Sequence, residues 1–191
     1  FINIEVDSAG HSNYNVYKSP AKNRDAKTDT ASASLGIEQI LIEKSHLVYD
    51  DLSIPMLIDA RGFDYKGSGD LSKDIFDLHT HLEVASVDFL YDNQPYVSNK
   101  KINADLVTSI NTKSLAFAFQ KNNLMINQLP VEFKGRFGFL KDGYDMDFKF
   151  TSHQSDLSDI FTALPPEYVK WVDNTDVNGT GEIQVGLTGK Y

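Results

Sequence analysis

His79 and His81 stand two residues apart in "IFDLHTHLEVASVDFLYD". On a strand, residues i and i+2 share a face, so both imidazoles project the same way, with Asp77 and Glu83 beside them. That spacing can place two imidazoles on one metal. The plainer reading is the solvated side of an amphipathic strand, and it is favoured because Phe76, Leu78, Leu82 and Val84 fill the alternate positions. Asp145 and Asp147 pose the same choice. A carboxylate pair can hold a cation or act as acid and base, yet Tyr144, Met146, Phe148 and Phe150 alternate with it and make it a polar face.

The remaining chemical candidates are weaker. Ser152 and His153 are adjacent in "TSH", so on a strand they point apart and cannot form a nucleophile–base pair. No G-x-S-x-G elbow and no G-x-x-x-x-G-K-[ST] loop is present. "KGSGD" at 66–70 is glycine-rich but no helix follows it, so it reads as a turn. "NGT" at 178–180 matches a glycosylation acceptor, which matters only in a eukaryotic secretory protein. Trp171, near Tyr168, is expected to pack a short helix on a sheet. No constellation converges, so the expectation is a non-enzymatic protein with no catalytic residue, metal or cofactor.

The elements that would position these residues are mostly strands. "INIEV" alternates, with Ile2, Ile4 and Val6 on one side. "SAGHSN" reads as a turn and "YNVYK" as a second short strand. Residues 18–36 are polar, small and aperiodic, as a loop would be. "IEQILIEKSHLVYDD" reads as two strand pieces broken near Lys44–Ser45. "MLIDARGFDY", "KINADLVTSI", "SLAFAFQ", "NLMINQ", "VEFKGRFGFL", "YDMDFKF" and "EIQVGL" continue the pattern. "HLVYDD" at 46–51 and "DFLYDN" at 88–93 echo each other, and Tyr-Asp fits a strand end at which the Asp turns the chain through an Asx-type hydrogen bond. In "SDLSDIFTALPPEYVKWV" the apolar spacing switches to three and four. Two short helices are expected within 155–172, with Ser155 or Asp156 as cap, Pro165 as stop and Pro166 in the next first turn.

The predicted fold is therefore mainly β, an antiparallel meander of about ten strands with one two-helix insertion. It would form a curved sheet or a sandwich-like or half-barrel groove, in one domain over 1–191. The apolar faces of so many strands must be covered. One short helical pair covers few of them. The rest needs another sheet, closure into a barrel, other parts of the parent chain or a bound apolar ligand; the plainer reading is a β-sandwich core and the sharper one a curved sheet with a lipid groove.

Composition narrows the partners. A net charge of −9 over 191 residues opposes nucleic acid and anionic lipid surfaces as partners of the average surface. The one dense basic cluster is "KSPAKNRDAK" at 18–27. There is no cysteine, hence no disulfide or thiolate metal site. No apolar run reaches the roughly 20 residues that span a bilayer as a helix. The first residue is Phe1, and the chain is read as a piece of a longer protein.

"FINIEVDSAGHSNYNVYK", with Gly10, Asn13 and Tyr14, "IEQILIEKSHLVYDD", and "NNLMINQLPVEFKGRFGF", with Asn127, Leu129, Phe133 and Gly135, occur in order. They are followed by "DMDFKFTSHQSDLSDIFTALPPEYVKWVDNTDVNGTGEIQVGLTGKY". In that order the chain resembles the AsmA family of Gram-negative envelope proteins, and most closely its Bacteroidetes-type members. The loop at 18–36 departs from the pattern. The resemblance implies kinship with TamB-like and bridge-like lipid transfer proteins, which build a long β-groove with an apolar interior. It implies a parent anchored in the inner membrane through a segment outside these residues and facing the periplasm. It also implies a role in outer-membrane biogenesis and lipid homeostasis, with no inherited catalytic residue.

The expected lipid-contacting face comprises Leu115, Phe117, Phe119, Val131, Phe133, Phe137, Phe139, Met146, Phe148 and Phe150. Its expected partner is a phospholipid or other envelope lipid. The rival expectation is a scaffold that binds an outer-membrane protein client by strand addition at a sheet edge.

Overall fold

The computed structural model describes residues 1–14, 38–140, 143–170, 172 and 175–190. The strand expected beyond Tyr14, the loop at 18–36 and Trp171 lie outside them. Among the described residues nine strands form one sheet in sequence order: β1 (Ile2–Val6), β2 (Gln39–Asp51), β3 (Met56–Ser68), β4 (Ile75–Tyr91), β5 (Gln94–Asn111), β6 (Ala116–Ile126), β7 (Leu129–Leu140), β8 (Gly143–Asp156) and β9 (Thr180–Lys190). Every neighbouring pair is antiparallel except β1 with β2. Between β8 and β9 stand the helices α1 (Leu157–Ala163) and α2 (Pro166–Val169). "SLAFAFQ" and "NLMINQ", read separately in the sequence, are one strand, β6. No second sheet faces this one among the described residues, so the sandwich arrangement is not formed there.

A line of backbone irregularities crosses the first half of the sheet. Lys44 on β2, Gly62 on β3 and Asn99 on β5 take positive φ, and the β4 register shifts between Val84 and Val87. An extra residue in a strand flips every side chain beyond it to the other face. Because neighbouring strands carry such a residue at the same level, the faces stay matched. Ile42 and Leu47 share a side on β2, as do Ala60 and Phe63 on β3, and Val84 and Val87 on β4. Polar side chains serve the freed backbone: Lys44 N donates to Asp64 Oδ1 at 2.8 Å, and Asn99 N to Asp88 Oδ1 at 2.8 Å. At Gly62 a side chain would meet Ala85 Cβ at 2.8 Å, so glycine is required for packing as well as for its φ of 60°.

The two Tyr-Asp echoes end β2 and β4, as expected, but the turns are made differently. Asp51, the second Asp of the first echo, accepts from Ser53 N at 2.9 Å and Ser53 Oγ at 2.6 Å. Asp92 and Asn93 turn the second through left-handed backbone, with φ of 49° and 58°, the pattern of a two-residue hairpin. The helix start also differs from expectation. Asp156 is the N-cap without a side-chain bond, Ser155 Oγ donates to His153 O, and Leu157 N donates instead to Gly179 O at 3.0 Å. Pro165 and Pro166 sit at the stop and restart as read from the sequence.

The helices cover one end of the apolar face. Leu129, Val131 and Ile160 are buried together, with Leu124, Ile126, Phe150, Leu157, Ala163 and Ile183 packed on them. The carbonyl of Thr162, near the end of α1, accepts from Lys100 Nζ and from Asn127 Nδ2, the latter at 2.9 Å. Lys100 is buried, and that burial lowers its pKa.

Candidate functional site

Cross-strand register assembles the aromatic residues into rows. Ile110, Phe117, Phe137 and Met146 lie side by side on β5 to β8. The next row runs Thr108, Phe119, Gly135, Phe148 and Leu187, and a third runs Phe133, Phe150 and Val185. Gly135 explains how the rings meet. It lacks a Cβ, which would press on the Asp147 carbonyl and on the Phe148 ring, so Phe119 and Phe148 close over it with centroids 5.6 Å apart. Phe119 also contacts Phe133 at 5.2 Å, and Phe133 stacks on Phe150 at 5.8 Å. A second cluster joins Phe117, Phe137 and Phe139 at 6.3 and 5.1 Å. Between Phe119 and Leu124 the β6 ladder is interrupted. There the Asn122 amide replaces a backbone partner: its Oδ1 accepts from Phe133 N at 2.8 Å and its Nδ2 donates to Phe133 O.

The expected residues divide by cover. Val131 is buried beneath α1, and Phe150 packs against that cluster. Phe117, Phe119, Phe133, Phe137, Met146 and Phe148 are half-buried. Phe139 is 52% exposed. Leu115 lies just outside β6 in a left-handed turn with φ 50°, not on the strand face. The sequence reading omitted Ile183, Val185 and Leu187, which continue the face onto β9, with Val185 and Leu187 exposed. Their alternation in "EIQVGL" is the signal that would have included them.

The opposite side of the sheet is polar and internally paired. Arg61 Nη2 reaches Asp59 and Asp88, each at 3.1 Å, and His46 Nε2 meets Asp59 at 2.8 Å. Partial burial alone would raise the Asp59 pKa, but His46 and Arg61 outweigh it and hold the carboxyl below its usual range. Arg136 Nη1 lies 2.8 Å from Asp145 Oδ2 and its Nε 4.0 Å from Asp147, so the Asp145–Asp147 pair is engaged by a cation of the same face. His79 and His81 line a hollow of about 500 Å³ with Lys66 and Asp105. His81 Nδ1 lies 2.8 Å from Asp105 and its Nε2 3.6 Å from Glu83. Among the described residues no group of three or more His, Asp or Glu side chains is placed to hold a metal ion. Ser152 is buried against Ser155 Oγ at 2.7 Å, while His153 is exposed and faces Glu132 and Glu182.

Among the described residues no large side chain is fully buried, because a single layer has nothing over most of its apolar side. The chain matches no family model, no curated protein and no solved structure. Among the described residues, no helix is long and apolar enough to cross a membrane.

Proposed function

We propose that this chain is a non-enzymatic, AsmA-like module that holds lipid acyl chains against its apolar sheet face. It works on the periplasmic side of a Gram-negative envelope, in outer-membrane biogenesis and lipid homeostasis. Its parent is tethered to the inner membrane by a segment outside residues 1–191. The observation that carries this reading is the matched apolar face of nine strands, covered at one end by α1 and α2 and left half-exposed around Phe117, Phe137 and Phe139. Each methylene of an acyl chain moved from water onto such a face gains up to about 0.8 kcal/mol. Headgroups stay in water at the rim, and no metal or cofactor is needed.

The test is photo-crosslinking in living cells, with a photoreactive residue at Phe137 of the full-length parent and mass spectrometry of the adducts. Phospholipid adducts are the expected result. Intramolecular products alone, from a folded and active protein, would overturn the lipid reading. A second reading is favoured by one observation, the outer edge of β9, which has no strand partner among the described residues. It is a scaffold that binds an envelope protein by strand addition.

A further inference from the structure

The two edges of the sheet are unlike. The first edge is irregular: β1 has five residues, pairs with Leu47–Asp51 and is bridged on its far side by Ser12 and Asn13, and the remainder of β2 is interrupted by the positive φ of Lys44 and two register shifts. Short edge strands and bulges are the usual means of preventing pairing with another chain. The last edge among the described residues has a long strand, and the one register shift of its ladder comes from an extra residue on β8 between Ser152 and Ser155, not from β9 itself. Strand β9 is eleven residues long, has no proline, and carries its two charged residues, Glu182 and Lys190, near opposite ends. Val185 and Leu187 are 50% and 44% exposed on its apolar side.

Its sequence is self-complementary when reversed. In an antiparallel pairing about a two-fold axis through Gly186, Glu182 falls opposite Lys190 of the second copy, and Val185 falls opposite Leu187 of the second copy, each twice. Opposite charges and large aliphatics directly across a strand pair each contribute about 0.2–1 kcal/mol. Among the described residues neither charge is strongly engaged: Glu182 has His153 at 3.9 Å, and Asp145, which is opposite Lys190, is bound by Arg136 at 2.8 Å. A two-fold axis perpendicular to the sheet keeps both apolar faces on the same side, so the joined sheet has one continuous apolar face. Pairing β9 with the irregular first edge would instead give an open, non-closing series, which that edge disfavours.

We infer that β9 pairs antiparallel with β9 of a second copy of this chain, in the register that sets Glu182 against Lys190, joining two nine-stranded sheets into one. The inference does not rest on lipid binding, and its test is run on lipid-free protein. Because the chain has no cysteine, Gly186→Cys introduces a single thiol at the axis, where a Cβ meets nothing within 4 Å. Light scattering should give a dimer mass for the unmodified chain. Mild oxidation of the Gly186→Cys chain should give a disulfide-linked dimer on a non-reducing gel. Glu182→Lys should weaken dimerisation several-fold, and adding Lys190→Glu should restore it. Circular dichroism confirms that each variant folds. A monomer at every concentration, or a dimer indifferent to both charge changes and not linked through residue 186, would overturn the inference.

Discussion

Phe139 and Leu129 lie on the same strand, β7, one exposed and one buried under α1, and comparing their truncations tests whether the apolar face is open. Leu129 is 5% exposed and packs with Val131 and Ile160. Leu129→Ala should therefore cost about 2–5 kcal/mol, the transfer loss plus the cavity left behind. Phe139 is 52% exposed. Full burial of a Phe side chain is worth about 1.5–3 kcal/mol, so roughly half burial is worth about 1 kcal/mol. Its edge-on contact with Phe137 at 5.1 Å adds about 0.5–1.5 kcal/mol. No cavity term applies, because water fills the space. Phe139→Ala should then cost about 1.5–2.5 kcal/mol, below the 3–5 kcal/mol usual for Phe→Ala in a closed core. Urea unfolding followed by circular dichroism measures both, and lipid capture by the folded variants should fall for Phe139→Ala. A Phe139→Ala cost of about 4 kcal/mol, equal to a core truncation, would refute the open face.

Gly135→Val should destabilise by about 1–3 kcal/mol or more, since its branched side chain must displace the Asp147 carbonyl and the Phe148 ring; an unchanged Tm would refute the packing argument. Lys100→Met removes a buried cation and one donor to the Thr162 carbonyl, leaving Asn127 to serve it; the opposed effects should nearly cancel, and a loss of 3–5 kcal/mol would show the ammonium is essential to the helix seat. Asp51, held low chiefly by Ser53, and Asp59, held low by His46 and Arg61 against its burial, both have folded pKa values below the usual 3.8. Their contribution is present above that value and is lost as pH falls through the depressed values. Stability should thus be level near neutrality and fall below about pH 4, and Asp59→Asn should flatten that fall in acid-unfolding curves.

Period-two alternation in "VEFKGRFGFL" and "YDMDFKF" determined strands with an aromatic side and a charged side, because adjacent side chains on an extended chain must point apart. The change of spacing after Ser155, and the Pro165–Pro166 pair, determined where the helices stand. That reading also indicated that His79–His81 and Asp145–Asp147 belong to a solvated face, and their cross-strand partners Asp105 and Arg136 sit on that same face. Local pattern could not reveal the matched irregularities at Lys44, Gly62 and Asn99. Each alone looks like a break or a reversal of facing, and only when the strands lie side by side do they cancel. Nor could it place Leu115 in a turn, assign Asp51 rather than Asp50 to the Asx bond, or show that Gly135 lets Phe119 and Phe148 touch. Those depend on what the neighbouring strand brings to the same level. Whether the apolar side is closed or open was a tertiary decision for the same reason. Alternation specifies that a strand has an apolar side, whereas cover depends on what packs against it, and here α1 and α2 reach only one end.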